Sequence, residues 1–289
     1  MKRNNFHLDD MTINRIIDQA LMEDMRFGDI TTDAIVGMKD KASAQWVAKQ
    51  EGVICGLQIA EKVFRKLDDE IKWRSLVVDG DWVDEGAIIA QFSGSCRAVL
   101  SAERVALNFV QRMSGIATET SRMVRKLEGL HTELLDTRKT VPGLRLLDKY
   151  AVATGGGKNH RMGLYDMAMI KDNHIAAAGS INKAVYLVRR KNPDIRVEVE
   201  TTSLEQVQEA LDSGADMIML DNMDIEQMSK AIKMIEGSVQ TEASGNITGE
   251  NIRDVASTGV DFISSGALTH SVKAFDISQT IVNVNNKKE

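Results

Sequence analysis

Between residues 195 and 268 the chain switches repeatedly between two hydrophobic periods, and this rhythm constrains the fold more than any other feature. "IRVEVET" (195–201) is rich in β-branched residues and reads as a strand. "SLEQVQEALDSG" follows, with Leu204, Val207, Ala210 and Leu211 on one helical face and Ser203 with Gln206 as a capping box. "ADMIMLDN" then predicts a buried strand, and "DIEQMSKAIKMIEG" a helix with Ile225, Met228, Ile232 and Ile235 on its apolar side. "SVQTEASGN" is a strand again, "TGENIRDVASTG" a helix, and "VDFISSG" the last clear strand. Each strand-plus-helix unit takes roughly twenty-odd residues, the length a (β/α) barrel unit needs. An internal echo supports the repeat: "SGADMI" (213–218) and "TGVDFI" (258–263) share one pattern and put Gly214 and Gly259 at helix C′ positions, where φ is positive.

Upstream, "HTELLDT" (131–137) and "MAMIKDN" (167–173) predict two earlier strands, and "AVYLVRRKN" continues a helix after "AAAGSINK". Residues 112–269 are therefore expected to form a parallel β/α barrel, incomplete because six strands can be read where a full barrel has eight. Residues 1–111 differ. Residues 8–25 make an amphipathic helix; "ASAQWVAKQEGVICG", "IKWRSLVVDGDWVDEGAIIAQFSG" and "SCRAVL" contain short strands and Gly/Asp turns. "AERVALNFVQRMSGIATETSRMVRKL" reads as one or two long helices. The expected fold class is thus α/β plus α+β: a sandwich-like α+β N-terminal domain ahead of the barrel, with the tail 270–289 packing back on it.

With 289 residues and 43% hydrophobic content the chain can bury a sizeable core. Its apolar runs are too short to span a bilayer, and MKRNNFHLDD lacks the apolar stretch of a signal peptide. Only two cysteines, Cys55 and Cys96, suggest a reducing cytoplasm, although the sequence does not settle whether they pair. A net charge of −6 argues against a nucleic-acid partner. The charge is uneven, however. From Arg138 to Arg161 the chain carries Arg138, Lys139, Arg145, Lys149, Lys158 and Arg161 against Asp148 alone. Such a segment in an acidic protein is either a solvated basic face or the site of a small anion.

Chemistry in a β/α barrel sits at the C-terminal strand ends. Here those ends read Arg138-Lys139, then Lys171-Asp172-Asn173-His174, Glu200, Asp221-Asn222, Ser244-Gly245-Asn246 and Ser265-Gly266. The cations Arg138, Lys139, Arg161 and Lys171, with His160, exceed what one monoanion needs and suit a dicarboxylate or a polyphosphate. Glu200 and Asp221 are placed to hold Mg²⁺ directly or through water, to stabilise a developing cation, or simply to pair with those cations. The Ser-Gly turns lead into helix N-termini that can bind phosphate.

"ATGGGKNHRMG" (153–163) is not a nucleotide loop. Val152 stands where a P-loop needs its first glycine, Asn159 where it needs a hydroxyl, and His160 breaks the dinucleotide pattern. The glycines either let the backbone pass close to an anion while presenting His160 and Arg161, or are a plain turn.

Together these residues resemble the quinolinate phosphoribosyltransferase family, the carboxylating nicotinate-nucleotide pyrophosphorylases of NAD biosynthesis. The likeness runs through "ALMEDMRFGDITT", "SAERVALNFVQRMSGIAT", "DTRKTVPGLRLLDKYAVATGGGKNHRMGLYDMAMIKDNHI", "EVET", "MLDNM", "EASGNI" and "ISSGALTHS"; one departure is Val141, where the family pattern has Thr. The resemblance implies that quinolinate attacks C1 of phosphoribosyl pyrophosphate with Mg²⁺, giving nicotinate mononucleotide, pyrophosphate and CO₂. It places Arg138, Lys139, His160, Arg161 and Lys171 around quinolinate, and Arg104 in that pocket from the partner subunit of a homodimer or higher oligomer. It turns Glu200 and Asp221 to the ribose and metal, and Ser244, Gly245, Asn246, Ser265 and Gly266 to phosphate. Lys139 or Lys171 would stabilise the carbanion-like centre left by CO₂. The residues alone leave three rivals: a Schiff-base lyase or aldolase using one of those lysines, a close relative acting on another anionic base or on nicotinate without decarboxylation, and a ligand-binding or regulatory barrel without catalysis.

Overall fold

The computed structural model describes residues 8–285. The basic N-terminus, on which the absence of a signal peptide was read, lies mostly outside them, as does the tail beyond residue 285. No helix among the described residues is long and apolar enough to cross a membrane.

The chain divides into two compact units. The first takes the chain up to Glu119, Val141–Gly156 and the residues from Val272 on; the second takes Thr120–Thr140 and Gly157–Ser271. The expected boundary between residues 111 and 112 falls inside the helix Glu103–Lys126, which runs unbroken through it.

In the first unit, four antiparallel strands lie in the order Ile277–Asn285, Lys41–Ala48, Ile88–Ser95, Lys72–Ser75. The strand Lys41–Ala48 alternates exposed or half-buried residues with Ala42, Ala44, Trp46 and Ala48, the period of a sheet with one buried face. The chain is poor in aromatics, yet four of them meet here. Trp73 stacks on Phe92 with centroids 4.9 Å apart, and Phe64 and Trp46 close around them. Phe64 comes from the helix Leu57–Leu67, whose start is held by Asp79 accepting the Gly56 and Leu57 N–H groups at 2.9 and 3.1 Å. The tail from Lys273 crosses the helix Glu103–Lys126 at Gly115, and the Phe275 N–H donates to Gln111 O at 2.8 Å. Cys55 and Cys96 are both free and buried. "SCRAVL", expected among the short strands, is the helix Cys96–Ser101. A short apolar run has no period long enough to separate the two, and Ala, Leu and Arg favour helix.

The second unit carries one sheet of six parallel strands: β1 (Glu133–Leu135), β2 (Ala168–Ile170), β3 (Val197–Thr201), β4 (Met217–Asp221), β5 (Gln240–Ser244) and β6 (Phe262–Ser264). Their order is β1-β6-β5-β4-β3-β2. The first strand therefore pairs with the last, and β1 and β2 do not pair among the described residues, leaving the barrel open between them. Lys158 bridges in parallel to Leu135 on the open side of β1. The repeated Asp of the echo has a job at the strand starts: Asp216 Oδ2 accepts the Val197 N–H at 2.7 Å, and Asp261 Oδ2 the Thr241 N–H at 2.9 Å. Gly214 and Gly259 have φ of 74° and 94°, as C′ glycines do. The expected helix through "AAAGSINKAVYLVRRKN" is two, Asp172–Ala178 and Ile181–Lys191, parted by Gly179 at φ 97° and recapped by Ser180.

Candidate active site

Parallel pairing sets which side chains share a face. Glu200 is level with Met219, and Met219 with Glu242; two residues further along, Asp221 is level with Ser244. Side chains two apart on a strand point the same way. The face that turns away from the helices is therefore built of acids, methionines and serines, while Val197, Val199, Ile218, Leu220 and Ala243 fill the layer beneath the helices.

That face opens at the strand ends into a cavity of about 790 Å³, formed wholly within the second unit. Arg138, Lys139, His160, Arg161, Lys171, Glu200, Asp221, Ser244, Gly245, Asn246, Ser265 and Gly266 all line it. Of the basic run, Arg145, Lys149 and Lys158 do not; Lys158 Nζ lies 3.5 Å from Glu133 instead, and Lys149 is fully buried in the first unit. Arg104 stands exposed on the helix Glu103–Lys126, in the first unit.

The glycine run brings the chain from the helix Arg145–Thr154 to the edge of β1, with Gly156 at φ 94°. The Lys158 N–H donates to Leu134 O at 2.8 Å, so this segment runs as a short extra edge. Asp136, at the end of β1 and fully buried, then fixes the next two residues: it accepts from Asn159 Nδ2 at 2.6 Å and from the His160 N–H at 2.8 Å. The run is thus a crossing and a support for Arg161, and the backbone amides beyond it are spent on Asp136 and on the His160 ring.

His160 offers less to a ligand than its place in the sequence suggests. Its Nδ1 accepts the Arg161 N–H at 2.7 Å, and Nε2 lies 3.1 Å from Glu198 Oε2 and 3.2 Å from Glu242 Oε2. Both ring nitrogens are engaged inside the protein. Burial would lower its pKa, but hydrogen bonds to the two glutamates and their charges outweigh burial and raise it to about 9. The Arg161 N–H aimed at Nδ1 opposes that second proton. Glu198 is raised by burial and by the neighbouring Glu242 charge, against the pull of His160. The two glutamates were not foreseen as site residues. The signal was the pair of acids in "VEVET", spaced by two along a buried strand, with Glu242 on the same face two strands away, level with Glu200. Nitrogen and carboxylate atoms of this trio lie within 4.8 Å of one another, close enough to share a proton or a divalent cation.

Arg161 Nη1 donates to Met167 O at 2.9 Å, while its Nε is buried with no hydrogen-bond partner among the described residues. Burial, then the charge of Arg138, lower its pKa. Two guanidiniums that repel each other across a cavity wall are preorganised for an anion that both can bind. Lys171 Nζ is paired with Glu200 Oε2, whereas Lys139 has no acidic partner among the described residues. No lysine or arginine among the described residues pairs with Asp221, whose Oδ2 accepts from Asn222 Nδ2 at 2.8 Å. At the phosphate-type turns, Ser265 is committed elsewhere: its N–H goes to Leu135 O at 3.1 Å and its hydroxyl to Ile247 O at 3.2 Å. At Gly266 a Cβ would sit 2.7 Å from Lys139 Cδ, so glycine lets that lysine lie across the turn.

Comparison with known proteins points to one family. The family described as Quinolinate phosphoribosyl transferase, C-terminal domain, matches residues 116–280, and its N-terminal domain counterpart matches residues 29–114. The chain is 46% identical to "Quinolinate phosphoribosyltransferase [decarboxylating] 2b, mitochondrial" of Nicotiana tabacum over 290 residues, covering 93% of this chain and 82% of that one. Among solved structures, NadC from Streptococcus pyogenes superposes with a TM-score of 0.92 at 42% identity, covering 96% of this chain and 99% of that one. The nicotinate-nucleotide pyrophosphorylase from Francisella tularensis gives 0.92 at 41%, covering 96% and 98%. The chain belongs to the quinolinate phosphoribosyltransferase family.

Proposed function

We infer that the chain transfers the phosphoribosyl group of phosphoribosyl pyrophosphate to quinolinate with decarboxylation, yielding nicotinate mononucleotide, pyrophosphate and CO₂ in NAD biosynthesis. One observation carries the reading: cations suited to a dicarboxylate, two acids and the phosphate-type turns all line a single cavity at the strand ends. Arg138 and Arg161 bind the two carboxylates of quinolinate, and the buried Nε of Arg161 gains its partner there. The pyridine nitrogen attacks C1 of the ribose as pyrophosphate leaves. The transition state is oxocarbenium-like, and Glu200 and Asp221 lower its energy electrostatically.

Asp221 suits Mg²⁺, which prefers carboxylate oxygens and retains water, because no lysine or arginine among the described residues pairs with it. Glu200, paired with Lys171, fits a role through water. The buried His160–Glu198–Glu242 trio, with a nitrogen donor, suits Mg²⁺ less. When bound, Mg²⁺ spreads the charge of the departing pyrophosphate. After transfer, CO₂ is lost and the ring carbon takes up a proton. Lys139 is the better placed lysine to stabilise that carbon, since Lys171 is already neutralised by Glu200. His160 acts by holding Arg161, and Arg104 completes the pocket from a second copy of the chain. The turns at Ser244, Gly245, Asn246 and Gly266 hold the phosphate through backbone N–H groups, with Ser265 shaping them.

The test is an endpoint mass-spectrometry assay with phosphoribosyl pyrophosphate, Mg²⁺ and either quinolinate or nicotinate. Nicotinate mononucleotide from quinolinate alone, lost in Asp221→Ala, supports the reading. No product from a folded protein with either base refutes it.

A further inference from the structure

The turns after β4 and β5 are tied together by one side chain. Asn222, just past Asp221, has φ 55°, and Asn246, just past Gly245, has φ 53°. Both lie in the left-handed region, which asparagine accepts more readily than other residues with a side chain. The Asn222 N–H donates to Ser244 O at 2.9 Å, extending the pairing that ends with Asp221 level with Ser244. From this position the amide reaches both ways. Its Nδ2 donates to Asp221 Oδ2 at 2.8 Å, and its Oδ1 accepts from Asn246 Nδ2 at 3.2 Å. Gly245 makes the room: it has φ 99°, and a Cβ there would lie 2.3 Å from Asn222 Oδ1 and 3.0 Å from Asn222 N. Two left-handed asparagines and one glycine that admits no side chain converge on the placement of a single amide.

We propose that Asn222 is a positioning residue that fixes the Asp221 carboxylate against the phosphate-binding turn Ser244–Asn246, and thereby governs phosphoribosyl pyrophosphate and not quinolinate. The inference rests on the transferase reading of the cavity. Its selectivity follows from where the link lies. The amide joins the ends of β4 and β5, while Arg138 and Arg161 belong to the end of β1 and the segment beside it. Among the described residues the Asp221 carboxylate is oriented by the Asn222 amide and pairs with no lysine or arginine, so loss of that donor frees it to turn.

The experiment measures initial rates against each substrate for the full chain and three variants. Asn222→Gly keeps the left-handed backbone accessible and removes the amide. Asn222→Asp keeps the oxygen that Asn246 donates to and sets a second carboxylate against Asp221. Asn246→Gly removes the far half of the link. A hydrogen bond to a charged group corresponds to about ten- to hundredfold. Asn222→Gly and Asn222→Asp are therefore expected to raise KM for phosphoribosyl pyrophosphate about tenfold or more. KM for quinolinate stays within about twofold, and the Mg²⁺ concentration giving half-maximal rate rises. Asn246→Gly shows the same split more weakly, and the double Asn222→Gly, Asn246→Gly variant is no worse than Asn222→Gly alone, because both break one connection. An active wild type whose variants lose affinity for both substrates equally, or for neither, overturns the proposal. If Asn222→Gly does not fold, Asn222→Asp and Asn246→Gly pose the same question. A wild type that makes no product overturns the transferase reading and this inference with it.

Discussion

Gly115 sits in the interior of the helix Glu103–Lys126, where alanine is ordinarily the better residue by about 1 kcal/mol. Here that preference is opposed. A Cβ at position 115 would lie 2.2 Å from Lys273 O, 3.2 Å from Lys273 C and 3.3 Å from Ala274 Cα. The obstacle is backbone, so no side chain can rotate away; either the helix or the returning tail must shift by about an ångström to restore ordinary contact. The tail is poorly placed to move. Two residues on, the fully buried Phe275 donates its N–H to Gln111 O at 2.8 Å, and Gln111 Nε2 donates to Ile277 O at 3.0 Å. Overpacking of this kind costs about 1–3 kcal/mol, and each displaced hydrogen bond adds about 1 kcal/mol. Against the gain in helix propensity, Gly115→Ala is expected to destabilise the protein by about 1–3 kcal/mol. Urea unfolding followed by tryptophan fluorescence measures this cleanly, because Trp46, Trp73 and Trp82 all belong to the first unit. Glu119→Ala, at an exposed position of the same helix, is the control and should change stability by no more than about 0.5 kcal/mol. A Gly115→Ala midpoint equal to or above wild type would refute the steric argument and leave propensity in command.

Three further outcomes are expected. Arg138→Lys keeps the charge and loses the fork, so quinolinate affinity should fall by about 1.5–3 kcal/mol, measured by titration calorimetry; an unchanged affinity removes Arg138 from the carboxylate site. His160 has a folded pKa of about 9 against about 6.5 unfolded, so its contribution is fully present below pH 6.5 and is lost as pH rises through 9. That window is worth at most about 3 kcal/mol, since the Arg161 N–H must turn from Nδ1 when the ring takes its second proton. Glu242→Gln should flatten this slope in urea midpoints taken at pH 6 and pH 9, and parallel profiles would contradict it. Finally, Arg104→Ala and Asp221→Ala are each expected to be inactive, but co-refolded in equal amounts they should recover about a quarter of wild-type turnover, because half the dimers are mixed and half their sites intact. No recovery would place Arg104 outside a shared pocket.

The strand and helix rhythm was legible from residue 131 to 264 because parallel strands are buried on both faces and their helices carry one apolar stripe, so each element has a clear period. The strand ends were legible for the same reason: once the strands are placed, so are Arg138, Lys171, Glu200, Asp221 and Ser244. What the pattern did not disclose was where side chains spend their hydrogen bonds. His160 and Ser265 reach the cavity wall, yet their polar atoms are taken by Glu198, Glu242, Arg161, Leu135 and Ile247. Such partners come from strands far apart in sequence, and only register brings them level. The order of the six strands was equally hidden, since pairing of the first with the last depends on which edge stays open. The helix Cys96–Ser101 was misread because six residues are too few to show a period.

The strand Ile277–Asn285 has a consequence for how the protein is made. It pairs with Lys41–Ala48, more than two hundred positions earlier in the order of synthesis. At roughly 5–20 residues per second, the early strand leaves the ribosome on the order of ten seconds or more before its neighbour exists. Through that interval one edge of the first sheet is bare, and bare edges recruit other strands. The second unit, by contrast, is complete in sequence by Ser271 and can close first. A released chain ending just short of residue 277 should therefore hold a folded barrel and an unfinished sheet, the form in which this protein most needs a chaperone.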